Sequence, residues 1–118
     1  MSAVFWAWLD RLIAGSRVVV DRPKGSRHPR FPGMIYPLDY GYLEGTTAGD
    51  GAGIDIWQGA NGGRRLTALI LTVDLAKRDT EIKLMLGCSD EECRTALAFL
   101  NGRFMRAILV DRPAQSKE

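Results

Sequence analysis

Residues 65–86 read Arg65-Leu-Thr-Ala-Leu-Ile-Leu-Thr-Val73, then Asp74-Leu-Ala-Lys-Arg-Asp79, then Thr80-Glu-Ile-Lys-Leu-Met-Leu86. The aliphatic run predicts a long, mostly buried strand, the polar stretch a hairpin connection, and residues 81–86 the returning strand. Just beyond, Ser89 with Glu92 carries a capping-box signature, in which hydroxyl and carboxylate satisfy each other's orphan backbone N–H groups. The helix it starts is expected to run to about Leu100 and stop at Asn101-Gly102. Residues 103–110 predict a last strand, and residues 113–118 a polar tail.

Towards the N-terminus, Ile54-Asp-Ile-Trp-Gln58 alternates apolar and polar residues, as a strand with one buried face does. Ala60-Asn-Gly-Gly63 predicts a turn. Residues 25–53 are rich in glycine and proline and hold all three tyrosines, so short extended pieces and turns are expected there. Arg17-Val-Val-Val-Asp21 predicts a strand ended by Pro23 and Gly25. Residues 4–13 place Phe5, Trp8, Leu9 and Leu12 at i, i+3, i+4 and i+7, an amphipathic helix within residues 1–16 that Gly15 can stop.

At 118 residues, with 46% hydrophobic and 25% charged side chains, the chain fits one globular domain over 1–118 and excludes global disorder. Five or six short strands with one or two helices predict a mainly β fold. A closed or nearly closed barrel is expected, because closure removes exposed strand edges. Cys88 and Cys93 form no disulfide framework and frame no zinc site. The single histidine, His28, excludes a metal site built of several imidazoles. The apolar start meets Asp10-Arg11 too early for a membrane span and lacks a basic lead-in, so a cytoplasmic chain with no membrane partner is expected.

The formal charge of +2 is too mild to indicate nucleic-acid binding, and none is expected. That total hides a separation. Residues 22–30 hold Arg22, Lys24, Arg27, His28 and Arg30 and no acid, while residues 31–63 hold Asp39, Glu44, Asp50 and Asp55 and no lysine or arginine. Folded over one another, two such blocks suit a polyanion held through divalent cations. Asp50 and Asp55 flank a glycine-rich turn, and Asp74 and Asp79 bracket the hairpin. Carboxylates at the ends of adjacent strands repel one another, and a hard cation such as Mg²⁺ is their natural partner.

The run Tyr36-Pro-Leu-Asp-Tyr-Gly-Tyr-Leu-Glu-Gly45, followed by Asp50-Gly-Ala-Gly-Ile-Asp55, resembles the signature of soluble family I inorganic pyrophosphatases, a YPxNYGY segment and then D-x-D-P-x-D. Asp74 and Asp79 keep the five-residue gap of that family's second aspartate pair. The Gly25–Arg30 segment is similar to a shortened branch of the family, and the likeness covers residues 18–86 best. The resemblance implies an OB-like five-stranded barrel and Mg²⁺-dependent hydrolysis of pyrophosphate or a related small phosphoanhydride, while a homo-oligomer is expected from the aromatic first helix. It assigns metal binding to Asp50, Asp55, Asp74 and Asp79, and a phosphate hydrogen bond to Tyr40. Asp21 falls in the metal and water network, and Arg30, Lys24 and Arg27 stand for the cations that grip phosphate. Bridging metals would lower the pKa of a bound water, and cations would offset charge on the leaving phosphate.

The sequence also departs from that pattern. Ala52 stands where the family has the middle aspartate, a metal ligand and acceptor of the attacking water's proton, and Gly53 replaces the proline. Losing a general base typically costs on the order of 10²–10⁴-fold. Glu81 replaces a phosphate-gripping lysine, with Lys83 two residues along on the same strand face able to substitute. A relative that binds metal and phosphate ligands without efficient turnover is therefore the alternative. Phe5, Trp6 and Trp8 crowd more aromatic surface onto the first helix than one face buries, so a partner copy is expected to cover part of it.

Overall fold

The computed structural model describes residues 3–114. The chain runs α1 (Ala3–Ala14), β1 (Arg17–Arg22), β2 (Asp39–Glu44), β3 (Ile54–Gln58), β4 (Leu66–Asp74), β5 (Asp79–Leu86), α2 (Asp90–Leu100) and β6 (Met105–Asp111). The strands form one six-stranded sheet in the order β1-β2-β3-β5-β4-β6. Every neighbouring pair is antiparallel except β3 and β5, which are parallel. Of the terminal segments expected from the sequence, residues 1–2 and 115–118 lie outside the described residues.

The mainly β expectation holds, and the closed five-stranded barrel does not. A strand has two hydrogen-bonding edges, and β4 uses one on β5 and the other on β6, along Ala68↔Asp111 to Asp74↔Met105. No edge of β4 is left for β1, so the sheet stays open, with β1 and β6 on its outside. The sixth strand, expected over residues 103–110 and found at Met105–Asp111, occupies the β4 edge that a five-stranded closure onto β1 would use.

Each face of the sheet carries its own core. Tyr36, Leu38, Tyr40, Trp57, Ala68, Ile70 and Met85 pack with Cys88, Cys93, Ala96 and Leu100 beneath α2. The other face gathers Leu43, Ile56, Leu66, Leu69, Leu84 and Leu86 around Trp6 and Ile13 of α1. The strands are therefore apolar on both faces where helices cover them, which accounts for the near-continuous aliphatic run of β4. The predicted capping box is present: Ser89 Oγ accepts from Glu92 N–H, and Glu92 Oε1 accepts from Ser89 N–H.

The rotation of α1 differs from the sequence expectation. Its inward face is Trp6, Leu9 and Ile13, spaced i, i+3, i+7, while Phe5, Trp8 and Leu12 are exposed. Fixed polar contacts set that rotation. Arg112 makes a two-pronged pair with Asp10 at 2.8 and 2.7 Å, and its guanidinium lies over the Trp6 ring. Arg64 caps the C-terminal end of α1 by donating to the Ile13 and Ser16 carbonyls.

Gly41 has a close approach to satisfy. A Cβ at this position would stand 1.8 Å from the Val19 carbonyl oxygen, because β1 bulges over β2 between Val20 and Arg22. The bulge leaves Asp21 without a register partner on β2 and turns Arg22 level with Tyr40. Thus the glycine of Tyr40-Gly-Tyr42 admits the kink that aims Arg22.

Candidate functional site

One end of the sheet collects the four aspartates singled out from the sequence, Asp50, Asp55, Asp74 and Asp79. The end of β4, the starts of β3, β5 and β6, and the β2–β3 loop all lie there, as the pairs Leu43↔Ile54, Asp74↔Asp79 and Asp74↔Met105 require. Side chains alternate across a strand, so Tyr40, Asp55, Glu81 and Lys83 come to the face that α2 covers farther along. There the apolar core gives way to a charged rim.

The centre of that rim is Lys83, whose side chain is 5% exposed. Its Nζ donates to Tyr40 Oη at 2.7 Å, to Asp55 Oδ2 at 2.9 Å and to Glu81 Oε1 at 2.9 Å. An ammonium has three N–H donors, so it is fully satisfied. Burial works against its charge, but the Tyr40 oxygen and Asp55 carboxylate outweigh burial and hold the ammonium well above the ordinary lysine value. Burial likewise pushes Tyr40 well above the usual phenol range, so its hydroxyl stays protonated at neutral pH. Lys77 adds a second ammonium, 3.7 Å from Asp79 and 3.8 Å from Glu81.

The basic block folds over the same region. Arg22 donates to Tyr36 Oη and its guanidinium lies 5.6 and 5.9 Å from the Tyr36 and Tyr40 ring centres. His28 stacks on Tyr36, and its Nδ1 accepts the Arg30 and Phe31 N–H groups. Burial, together with the positive field of Arg22, Arg30 and Lys77, holds the imidazole below its ordinary value. Residues from β1, the 23–38 connection and the β4–β5 hairpin therefore act on one imidazole, a convergence of cations around the tyrosines. Lys24 N–H meets Asp39 Oδ1 at 2.8 Å, so the two oppositely charged blocks do touch.

The remaining sequence-derived residues are placed unevenly. Tyr40, Asp55 and Lys83 meet directly. Asp50 is exposed in the β2–β3 loop and accepts the Ala52 N–H, and Asp74 accepts the Ala76 and Lys77 N–H groups as the hairpin's turn anchor. Asp79 faces Asp74 across the ladder beside Lys77. Asp21, Lys24, Arg27 and Arg30 are exposed, with Arg27 donating to the Pro32 carbonyl.

Among the described residues no three His, Cys, Asp or Glu side chains are grouped to hold a metal ion. Asp50, Asp55, Asp74 and Asp79 share an end of the sheet, yet Asp55 is bound to an ammonium and Asp50 and Asp74 to backbone turns. As arranged here they do not fit a shared Mg²⁺. Sequence reasoning left Arg22, Tyr36 and Lys77 out of the site. The first two had a signal, since Arg22 closes a strand just before proline and Tyr36 opens the tyrosine-rich motif. No described helix is long and apolar enough to cross a membrane.

The chain matches no protein-family model and no curated protein.

Proposed function

We propose that this chain is a pyrophosphatase-like domain that takes inorganic pyrophosphate, or a related small phosphoanhydride, against its cationic tyrosine face. The observation that carries the reading is the meeting of Tyr40 and Asp55, which the motif resemblance assigns to the site, at the ammonium of Lys83, the lysine that strand parity offers in place of the family's, with Arg22 over the Tyr40 ring. Arg22, Lys77 and Arg30 supply positive charge suited to phosphate oxygens, and Arg22 has a planar donor fork. The strand order β1-β2-β3-β5-β4, with β3 parallel to β5, supports reading the sheet as an OB-like barrel left open.

Turnover divides the reading. The ordered motifs favour Mg²⁺-dependent hydrolysis. Ala52 in place of an aspartate, together with Asp55 and Glu81 bound to Lys83, favours holding the anion without efficient hydrolysis, and this geometry supports the second better. Calorimetry with pyrophosphate, run with and without Mg²⁺ beside an assay of released phosphate, tests both. Saturable, salt-sensitive binding that Arg22→Gln weakens, with little phosphate released, is expected. Rapid release in wild type that Asp55→Ala abolishes would restore the hydrolase reading, and no affinity at low salt would refute both. The same proposal places the chain in the cytoplasm and pairs two copies through α1, where Phe5 and Trp8 are 41% and 62% exposed.

A further inference from the structure

We propose that the Lys83 ammonium is a built-in substitute for a metal ion: it fills the position a divalent cation would take among Asp55, Glu81 and Tyr40, and deleting it turns the cluster into a site for a cation of Ca²⁺ size. The three oxygens around Nζ come from three strands, Tyr40 from β2, Asp55 from β3 and Glu81 from β5. Strand pairing fixes the backbone positions that carry them, so the three side chains stay within reach of one point when the ammonium is deleted.

A second observation points to ligating capacity beyond that cage. Thr72, 1% exposed, has a hydroxyl with no hydrogen-bond partner among the described residues. Its register partner is Glu81, so the two side chains share one face of the sheet. Buried hydroxyls are normally bonded, and this one is a spare oxygen at the strand position directly opposite Glu81.

The distances select the ion. Oxygens stand 2.7–2.9 Å from Nζ. Ca²⁺ binds oxygen at about 2.3–2.6 Å and Mg²⁺ at about 2.0–2.1 Å. A contraction of about 0.3 Å reaches calcium's range, whereas magnesium demands about twice that or more from strands locked in a sheet. Charge gives the same ordering of states. Among the described residues Asp55, Glu81 and Asp79 form ion pairs only with Lys83 and Lys77, so without Lys83 these three carboxylates keep a single paired cation and an excess of two negative charges. With Lys83 present, a divalent ion at the carboxylates would lie against an ammonium.

This inference goes beyond the phosphoanhydride reading and does not depend on it, since its test contains no phosphate compound. The full chain, Lys83→Ala, which leaves room for an ion, and Lys83→Met, which fills the space without charge, are titrated with CaCl₂ and with MgCl₂ by calorimetry, and melted in Ca²⁺ and in EDTA. Lys83→Ala is expected to bind one Ca²⁺ about tenfold or more tighter than wild type does, and tighter than it binds Mg²⁺. Its melting point should rise with Ca²⁺, while Lys83→Met stays indifferent. A folded Lys83→Ala that gains no Ca²⁺ affinity overturns the proposal. The wild-type arm decides whether or not that variant folds: a saturable divalent site that disappears in Asp55→Asn overturns it, and the absence of one supports it.

Discussion

Replacing Lys83 by methionine should be among the most damaging single changes outside the apolar core. The substitution keeps the length of the side chain and deletes its charge. Asp55 and Glu81, with side chains 28% and 15% exposed, are then left facing one another around a point that lies 2.9 Å from an oxygen of each. Tyr40 Oη also loses its donor. Removing one partner of a buried ion pair costs about 3–5 kcal/mol, because the remaining charge is uncompensated. Part of the Asp55 carboxylate reaches water, which pulls the figure towards the lower end. With an unfolding entropy of about 2 cal/mol/K per residue, a loss of that size lowers the melting point by about 12–20 °C. Urea melts of Lys83→Met and of the triple variant Lys83→Met/Asp55→Asn/Glu81→Gln separate charge from packing. The triple variant should regain most of the loss, since a neutral cluster no longer repels itself. A loss below about 1 kcal/mol in the single variant, or a triple variant no more stable than the single, would refute the argument that Lys83 neutralises a half-buried carboxylate pair.

Further outcomes follow from the same geometry. His28 is the only histidine, so its ring signals in proton NMR report one site; its titration midpoint should lie below 6.5 in the free chain and move upward with pyrophosphate, and no movement at saturating anion would separate the basic block from the binding face. Because the folded value is lowered, the neutral imidazole's contribution to stability is present above the unfolded value and is lost as pH falls from there through the folded value. Gly41→Ala should cost about 2 kcal/mol or more in chemical melts, since the Val19 carbonyl cannot retreat without breaking the β1–β2 ladder, and a neutral result would contradict the placement of the bulge. Glu92→Ala should cost about 1 kcal/mol and remove an acid-sensitive component of stability. The Ser89 and Ala60 N–H groups hold that carboxyl below its ordinary range, so its contribution is present above the unfolded value and disappears as pH falls through the lower folded one.

The elements were legible because their signals are local. Alternation marks Ile54–Gln58, the aliphatic run marks β4, and Ser89 with Glu92 marks the start of α2 within four residues of chain. Strand parity alone put Glu81 and Lys83 on one face. Tyr40 and Asp55 were singled out by motif, and they do reach the Lys83 ammonium. The rotation of α1 was not legible, since Phe5, Trp6 and Trp8 are equally apolar. Trp6 turns inward through Arg112, a residue at the far end of the chain whose pairing with Asp10 no local pattern announces.

By itself, the sequence determined which segments are strands and helices, which positions carry charge, and that the tyrosines and the basic block are neighbours in the chain. These depend on periodicity, capping and composition, which act over a few residues. Only the tertiary structure decided that the sheet stays open and that the carboxylates at its charged end surround an ammonium. Strand edges can each be used once, and β6 takes the edge that closure would need. Lys83 meets Asp55 and Tyr40 across 28 and 43 residues of chain, so what neutralises the carboxylates is settled by strand order and register.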